Sequence, residues 1–592
     1  MKKFLALLLT GILIFLALSS LAENAGEEKT LRIIATSDLH GKFMPWDYAR
    51  NAESKSGSMT QLATAVAAYR TDATLLVDAG DTIQDNSADI FIGTGQIHPM
   101  VRALNAMKYD LYVTGNHDYD YGMDVLKETI SSMDAKVLTG NVYDGEGRPV
   151  ADGYHIFDVD GVRVAVIGMV TPIVNRWDAD NLIDSLVTDP LTETRVVIEE
   201  IRGRYDVLVG VFHMGIDNAY GVPASGVTDI LNACPEFDVM VSSHEHSLIP
   251  GMEINGVLVV QNKDQAQTMS VIDLNLARDG DGWKVAGKSA ESVMIADYEP
   301  DPALTELLAP YHDFAIAYAG QVIGRLEGGP LAPENEIPLV PSAQLGDTAL
   351  IDLINRVQMY YSGARVSVTS LFIREANMVP GPVRICDLSL IYPYSNTLYR
   401  LRMNGAQLKK FMEWSAVYYN TWKPGDLTVS FSPDIRLYFY DIFDGVNYEI
   451  NVAKEPGSRI ENLTWPDGTP VKDEEEFTIA VNNHRVNTHL LVPGVVYGEV
   501  EEMPVLEEVD IRRELGSIRE LIGDYIVYVK GGAITPEYDD NWRITGNDWN
   551  QALHEKAVRL LKEGMLELPF SEDGRTPNVR SITEEEVNAF PD

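Results

Sequence analysis

Basic residues are scarce in this 592-residue chain: 47 lysines and arginines stand against 88 aspartates and glutamates, a formal charge of −41. No basic run occurs outside the first three residues, so a nucleic-acid polymer would be repelled and is not expected as a partner. Cysteine is scarcer still, with only Cys234 and Cys386. A pair so far apart makes no disulfide framework, and buried free thiols are the expectation. No Gly-rich loop reads as a phosphate cradle; Gly93-Thr94-Gly95 reads as a turn. Nor does any apolar run reach the ~20 residues that cross a bilayer. The longest, 4–18, follows Lys2 and Lys3 and precedes Ser20 and Ala22. That pattern predicts a cleaved signal peptide over 1–22. The mature protein is expected to be exported, periplasmic or extracellular, without a stable membrane anchor.

What is present is globular. The hydrophobic fraction of 45% is ordinary for a folded protein, and the length calls for more than one core. Short apolar runs at 31–36, 74–77, 111–114, 162–168, 207–211 and 239–242 read as buried strands. Helical patterns at 59–70 and 123–133 lie between them. Alternation of this kind predicts an α/β domain over 23–300 whose ligands gather at the carboxyl ends of the strands. A helix at 302–319 and a Pro/Gly-rich stretch at 328–341 form a connecting segment, 301–341. A second α/β domain is expected over 342–545, opening with a helix at 348–361 and carrying strands around Ile391, Leu437 and Phe477. The remainder, 546–592, holds one amphipathic helix at 551–566 and receives no functional reading.

Five short motifs each follow a predicted strand: Asp38-Leu39-His40-Gly41, Gly80-Asp81, Gly115-Asn116-His117-Asp118, His213, and His244-Glu245-His246. Taken singly they are weak. An Asp-x-His or Gly-Asp is usually a turn, and a single histidine is usually a hydrogen-bonded core residue. Together, in order and after successive strands, they collect oxygen and nitrogen donors of the kind divalent metals prefer. One central carboxylate can bridge two ions ~3.5–4 Å apart, an arrangement suited to in-line displacement at phosphorus.

This order of motifs resembles the calcineurin-like metallophosphoesterases. More narrowly, the chain is similar to the 5′-nucleotidase group, and especially to the bifunctional 2′,3′-cyclic-nucleotide 2′-phosphodiesterase/3′-nucleotidases. The likeness runs through segments 76–84, 106–122, 344–358, 388–405, 438–451 and 478–485, and ends with Ala533-Ile534-Thr535-Pro536 and Asp540-Asn541-Trp542-Arg543-Ile544. It implies an N-terminal metallophosphoesterase α/β sandwich with central mixed sheets, and a C-terminal α/β substrate-binding domain. It implies two divalent metal ions, among zinc, manganese, cobalt, iron and magnesium. Asp38, His40 and His246 would hold the first and Asn116, His213 and His244 the second, with Asp81 bridging. His117 would act beside the scissile phosphate, oriented by Asp120.

In the resembled group the second domain grips the base between two aromatic rings. Tyr438, in Tyr438-Phe439-Tyr440-Asp441, takes the place of one ring, with Tyr440 as a fallback that also reads as core. His484, in Asn482-Asn483-His484-Arg485, stands where the group has tyrosine, and the glycine-rich segment expected next is replaced by Val486-Asn487-Thr488-His489. Asn396 matches a Pro-aromatic-x-Asn segment that would hydrogen-bond the nucleoside, or is a turn residue. Arg374 lies near a stretch where 5′-nucleotidases place substrate-binding arginines but lacks the flanking pattern, and reads as surface. The expected activity is hydrolysis of 2′,3′-cyclic nucleotides and 3′-nucleotides. One alternative is a 5′-nucleotidase or nucleotide-sugar hydrolase, which Asp120 favours; another is a non-catalytic binding protein of the same fold.

Overall fold

In the computed structural model, residues 27–591 other than Tyr220 are described. The predicted signal peptide therefore lies outside the described residues. The chain forms two compact units that meet in sequence between Ile316 and Ala317.

The first unit is built on two six-stranded sheets. One runs in the order Gly282–Met294, Thr268–Asp279, Glu28–Thr36, Thr74–Asp78, Leu111–Val113, Lys136–Leu138. Its last four strands are parallel and its first two antiparallel additions. The other runs Ile249–Ile254, Val257–Gln261, Val239–Ser242, Val207–His213, Val162–Val170, Tyr154–Val159, parallel at its centre and antiparallel at both edges. These are the mixed sheets expected of a metallophosphoesterase sandwich.

Side-chain alternation explains the layering. Ile33 and Ala35 of the first strand share a buried cluster with Val77, Val113, Val166, Val209 and Val241, which belong to both sheets. Ile34, between them, faces the opposite way into a cluster with Met59, Leu62, Leu104 and Leu308 of flanking helices. Helices Pro190–Ile201 and Val227–Ala233 cover the second sheet through Ile198, Ile201, Ile230 and Leu231. The central strands are thus buried on both faces, which is why they read as continuous apolar runs.

The second unit carries a five-stranded sheet, Asp441–Asp444, Val366–Ser370, Glu476–Asn482, Leu398–Asn404, Val505–Glu508, and two three-stranded sheets. Helix Ala349–Ser362 buries Leu350, Leu353, Ile354 and Val357 against this core. Two expected strands are something else. Ile391 ends a helix, Ile385–Ile391, started by the Asp387 carboxylate accepting the Arg384 amide at 2.6 Å, and Leu388 and Ile391 reach the core at helical spacing. Leu437–Phe439 is a single tight turn before the strand at Asp441–Asp444. Segment 546–592 packs into the same core through Ala557, Leu560, Leu561, Ile582 and Val587. Among the described residues no helix is long and apolar enough to cross a membrane. Cys234 and Cys386 are buried free thiols, one in each unit.

Candidate active site

All five motifs lie at carboxyl ends of first-unit strands. Asp38 follows Glu28–Thr36, Asp81 follows Thr74–Asp78, Asn116 follows Leu111–Val113, His213 ends Val207–His213, and His244 and His246 follow Val239–Ser242. Five of these residues sit in the left-handed region: Asp38 at φ 52°, His40 at 44°, Asp81 at 57°, His244 at 75° and His246 at 54°. Non-glycine residues rarely adopt it, and its concentration here marks backbone held in place to aim side chains. Two glycines make the approach possible. A Cβ on Gly80 would meet the Gly115 nitrogen at 2.2 Å, and one on Gly115 would meet Asp81 Oδ1 at 2.1 Å.

The side chains converge as two groups. Asp38, His40 and His246 each offer a donor atom within 4.8 Å of the other two, and so do Asp81, His213 and His244. Asn116 joins the second group, its Oδ1 lying 3.1 Å from His213 Nε2 and 2.7 Å from His244 Nδ1. Cross-links bring the groups together: His213 Nε2 is 3.1 Å from Asp81 Oδ2 and 3.9 Å from Asp38 Oδ1. In the first group, His40 Nε2 faces His246 Nε2 at 3.0 Å, and His246 Nε2 is 3.5 Å from Asp38 Oδ1.

This arrangement suits cations. His213 Nδ1 donates to the Ala79 carbonyl at 2.6 Å, so a neutral ring turns its Nε2 lone pair toward Asp81 and Asn116, both acceptors. Lone pairs facing lone pairs are stable only with a proton or a metal ion between them. Among the described residues, Asp81 Oδ2 and His40 Nδ1 are buried and make no hydrogen bond. Burial, with His246, pushes His40 down to about 3, and burial, with His213, does the same to His244; both are held as the neutral imidazole that ligates metal. Burial opposes charge on His213 too, but Asp81 and Asp38 outweigh it and raise this ring to about 9. Burial likewise works against ionised Asp38, yet His246 draws it down to about 2. The donor set of carboxylate, imidazole and amide oxygen fits divalent ions.

His117 stands beside these groups without belonging to either. Its backbone amide donates to Asp81 Oδ1 at 2.8 Å, and its Nδ1 lies 2.9 Å from Asp120 Oδ2. The ring centroid is 5.7 Å from that of His40, and the side chain is 39% exposed. Burial disfavours the imidazolium, but Asp120 and Asp81 prevail and hold its pKa well above the ordinary value.

Several supporting residues received no role from the sequence. Asp118 accepts from Gly115 N at 2.7 Å, Tyr112 Oη at 2.6 Å and Asp81 N at 3.4 Å, fixing both metal-side turns at once. Asp78 binds Thr36 Oγ1, Gly80 N and Thr82 Oγ1 beneath them. Behind His40 and His246 stand Asp85, 3.9 Å from His40 Nδ1, and Asp264, 3.7 Å from His246 Nδ1, which add negative charge beside the rings without hydrogen-bonding to them. Asp118 was visible inside its motif, but only its bond to the Asp81 amide gives it a role. Asp264 comes from a different loop with no spacing rule to reveal it.

In the second unit, Asn396, Tyr438 and His484 come from three segments that are bonded together. Asn483 N donates to Thr397 O at 2.9 Å and Thr397 N to Asn483 Oδ1 at 3.1 Å, linking the segments of Asn396 and His484. Arg485 Nη2 donates to the Tyr438 carbonyl at 2.7 Å while its Nε pairs with Asp441 at 2.8 Å. Tyr438 is half-buried and His484 exposed. Tyr440 is different: it is 1% exposed and stacks on Tyr418 at 5.2 Å, so its ring is core and unavailable to a base. Arg374, read as a surface residue, has its Nη1 buried.

A family model described as calcineurin-like phosphoesterase matches residues 31–248, and one described as the 5′-nucleotidase C-terminal domain matches residues 322–491. Residues 31–248 form a calcineurin-like phosphoesterase domain, and the chain is an enzyme of the metal-dependent hydrolase type. Within the class it carries, as its second domain, the domain of the 5′-nucleotidases. The 2′,3′-cyclic-nucleotide 2′-phosphodiesterase/3′-nucleotidase of Yersinia enterocolitica is 27% identical over 627 residues, covering 93% of this chain and 93% of that protein. The trifunctional nucleotide phosphoesterase protein YfkN of Bacillus subtilis is 28% identical over 88% of this chain, which spans only 39% of that longer relative. Among solved structures, a Staphylococcus aureus protein assigned as a 5′-nucleotidase, crystallised with alpha-ketoglutarate, shares the fold. Its TM-score is 0.72 at 22% identity, over 87% of this chain and 100% of that one.

Proposed function

We propose that this chain is an exported phosphoesterase that hydrolyses 2′,3′-cyclic nucleotides and 3′-nucleotides with two divalent ions. The observation that carries the chemistry is the convergence of two donor groups, Asp38 with His40 and His246, and Asp81 with His213 and His244, each with its donor atoms within 4.8 Å of one another. Asp38, His40 and His246 would hold one ion and Asn116, His213 and His244 the other, with Asp81 between them. Ions held there supply positive charge beside the phosphate and acidify water.

The protein groups do the rest. Water attacks phosphorus opposite the ester oxygen, and the bond from phosphorus to that oxygen breaks. His117, kept protonated by Asp120 and Asp81, gives its proton to the departing oxygen. With Nδ1 committed to Asp120, Nε2 is the nitrogen that delivers it. Tyr438, His484 and Asn396, on segments bonded to one another, would receive the nucleoside; stacking tolerates any base because every base has a π-face.

The substrate choice is supported by relatives aligned over nearly the whole chain whose names carry the cyclic phosphodiesterase and 3′-nucleotidase activities. A second reading, hydrolysis of 5′-nucleotides, is favoured by the His117–Asp120 pair, in which an acidic partner orients the histidine as in the 5′-nucleotidase group. Purified enzyme supplied in turn with manganese, zinc and cobalt would be given 2′,3′-cyclic AMP, 3′-AMP and 5′-AMP. The first two should be the better substrates by kcat/KM; a clear preference for 5′-AMP would move the assignment to the second reading.

A further inference from the structure

A second gathering of carboxylates lies in the C-terminal unit and takes no part in the chemistry above. Asp347, Asp352 and Asp539 each offer an oxygen within 4.8 Å of the other two. Acidic residues near a helix N-terminus are ordinary, and Asp352 does occupy the first turn of Ala349–Ser362. What is unusual is its state. Asp352 is 1% exposed, and its Oδ2 is buried and accepts no hydrogen bond among the described residues. The neighbouring guanidinium of Arg356 is 3.9 Å from that oxygen, beyond hydrogen-bond reach, and is engaged with Glu537 at 3.2 Å. Burial, then the carboxylates of Asp347, Asp444 and Asp539, and a hydrogen bond shared with Asp347, push the Asp352 carboxyl up to about 9. Asp444 itself is 6% exposed, so a further buried acid lies near the same place. One shared arginine does not balance four carboxylates.

Two loops meet here. Asp347 accepts the Thr348 amide at 2.8 Å on one oxygen and the Asp540 amide at 2.8 Å on the other. It thereby joins the turn before Ala349–Ser362 to the turn before Trp542–Thr545, where Asp540 is held at φ 55°. A buried carboxylate with no donor is costly unless a proton or a cation compensates it. All the donors are oxygens, which select hard ions; carboxylates brought in from a loop, a helix and a second loop suit the irregular, oxygen-rich coordination of calcium better than a strict octahedron.

We propose that Asp347, Asp352 and Asp539 form an additional divalent-cation site of the calcium type, pinning the Asp540 loop to the start of helix Ala349–Ser362. It is independent of the catalytic ions in its donors, since it contains no nitrogen ligand and lies in the other compact unit.

Equilibrium dialysis with radioactive calcium at neutral pH tests this. The full chain would carry Asp38→Asn and Asp81→Asn, which remove both carboxylates from the catalytic groups. This background should still bind calcium with a stoichiometry near one. Adding Asp539→Asn, at an exposed position where folding is not at stake, should weaken binding by about tenfold or more, the scale of losing one contributor to a metal site. Adding Asp352→Asn should abolish it while raising the melting temperature measured in chelator, because an uncompensated buried acid is gone. No calcium bound by the background, or an affinity unchanged by Asp539→Asn, would overturn the proposal and leave a proton as the occupant.

Discussion

The Nε2 atom of His213 lies 3.1 Å from the Oδ2 atom of Asp81, and the opposite ring nitrogen is committed to the Ala79 carbonyl. Between them these contacts fix the tautomer of His213 and the charge that must sit in front of it. Replacing Asp81 by asparagine removes the one carboxylate between the two donor groups. Metal content, measured by mass spectrometry after dialysis, should fall from about two ions per chain to fewer than one. Hydrolysis of bis-p-nitrophenyl phosphate should fall by more than about 10³-fold, because positioning and charge stabilisation fail together.

His117→Ala separates chemistry from metal binding. Its ring lies in neither donor group, so the ion count should be unchanged while kcat falls by about 10²–10⁴, the usual worth of a general acid. Unaltered kcat would remove His117 from the reaction.

The pH dependence follows from the sign of the same group's shift. Burial would lower the His117 pKa, but Asp120 and Asp81 raise it well above the ordinary value. The active form is the protonated one, so activity should persist through neutrality and decline on the alkaline side as His117 loses its proton. Asp120→Asn removes a raising influence and should move that alkaline limb to lower pH with metal content intact. A limb that stays in place would show that another group controls it.

Tyr438 and Tyr440 should part company. Tyr438→Ala, at a half-buried position, should raise KM for nucleotides while sparing p-nitrophenyl phosphate, which has no base to stack. Tyr440→Ala removes a ring that is 1% exposed and stacked on Tyr418, and should cost about 3–5 kcal/mol of stability in denaturant unfolding, as large aromatic truncations in cores do.

Gly115→Ala tests the backbone. Its new methyl would stand 2.1 Å from Asp81 Oδ1, so the carboxylate must move. Metal affinity should drop by about 10–100-fold, as for a disturbed supporting shell, although no ligand is changed.

Much of the first unit was legible because its central strands are buried on both faces, so apolar runs such as 207–211 stand out, and because five of them carry a donor motif at or just after their carboxyl ends. Helix Pro302–Ala319 was equally plain. The second unit was harder. Ile391 is apolar among apolar neighbours, and only the Asp387 cap makes that stretch a helix. Tyr438 and Tyr440 are two residues apart, yet a tight turn at Leu437–Phe439 separates a half-buried ring from a core ring. Asp118, Asp85 and Asp264 act through contacts between distant loops, and such contacts leave no local pattern. The same holds for Asp347 and Asp539, far apart in the chain and joined only by folding.

Anomalous diffraction from crystals soaked in manganese reads directly whether Asp81 is shared between two ions. Two peaks should lie ~3.5–4 Å apart with Asp81 bound to both, one beside Asp38, His40 and His246 and the other beside Asn116, His213 and His244. A single peak, or two with Asp81 bound to neither, would contradict the account.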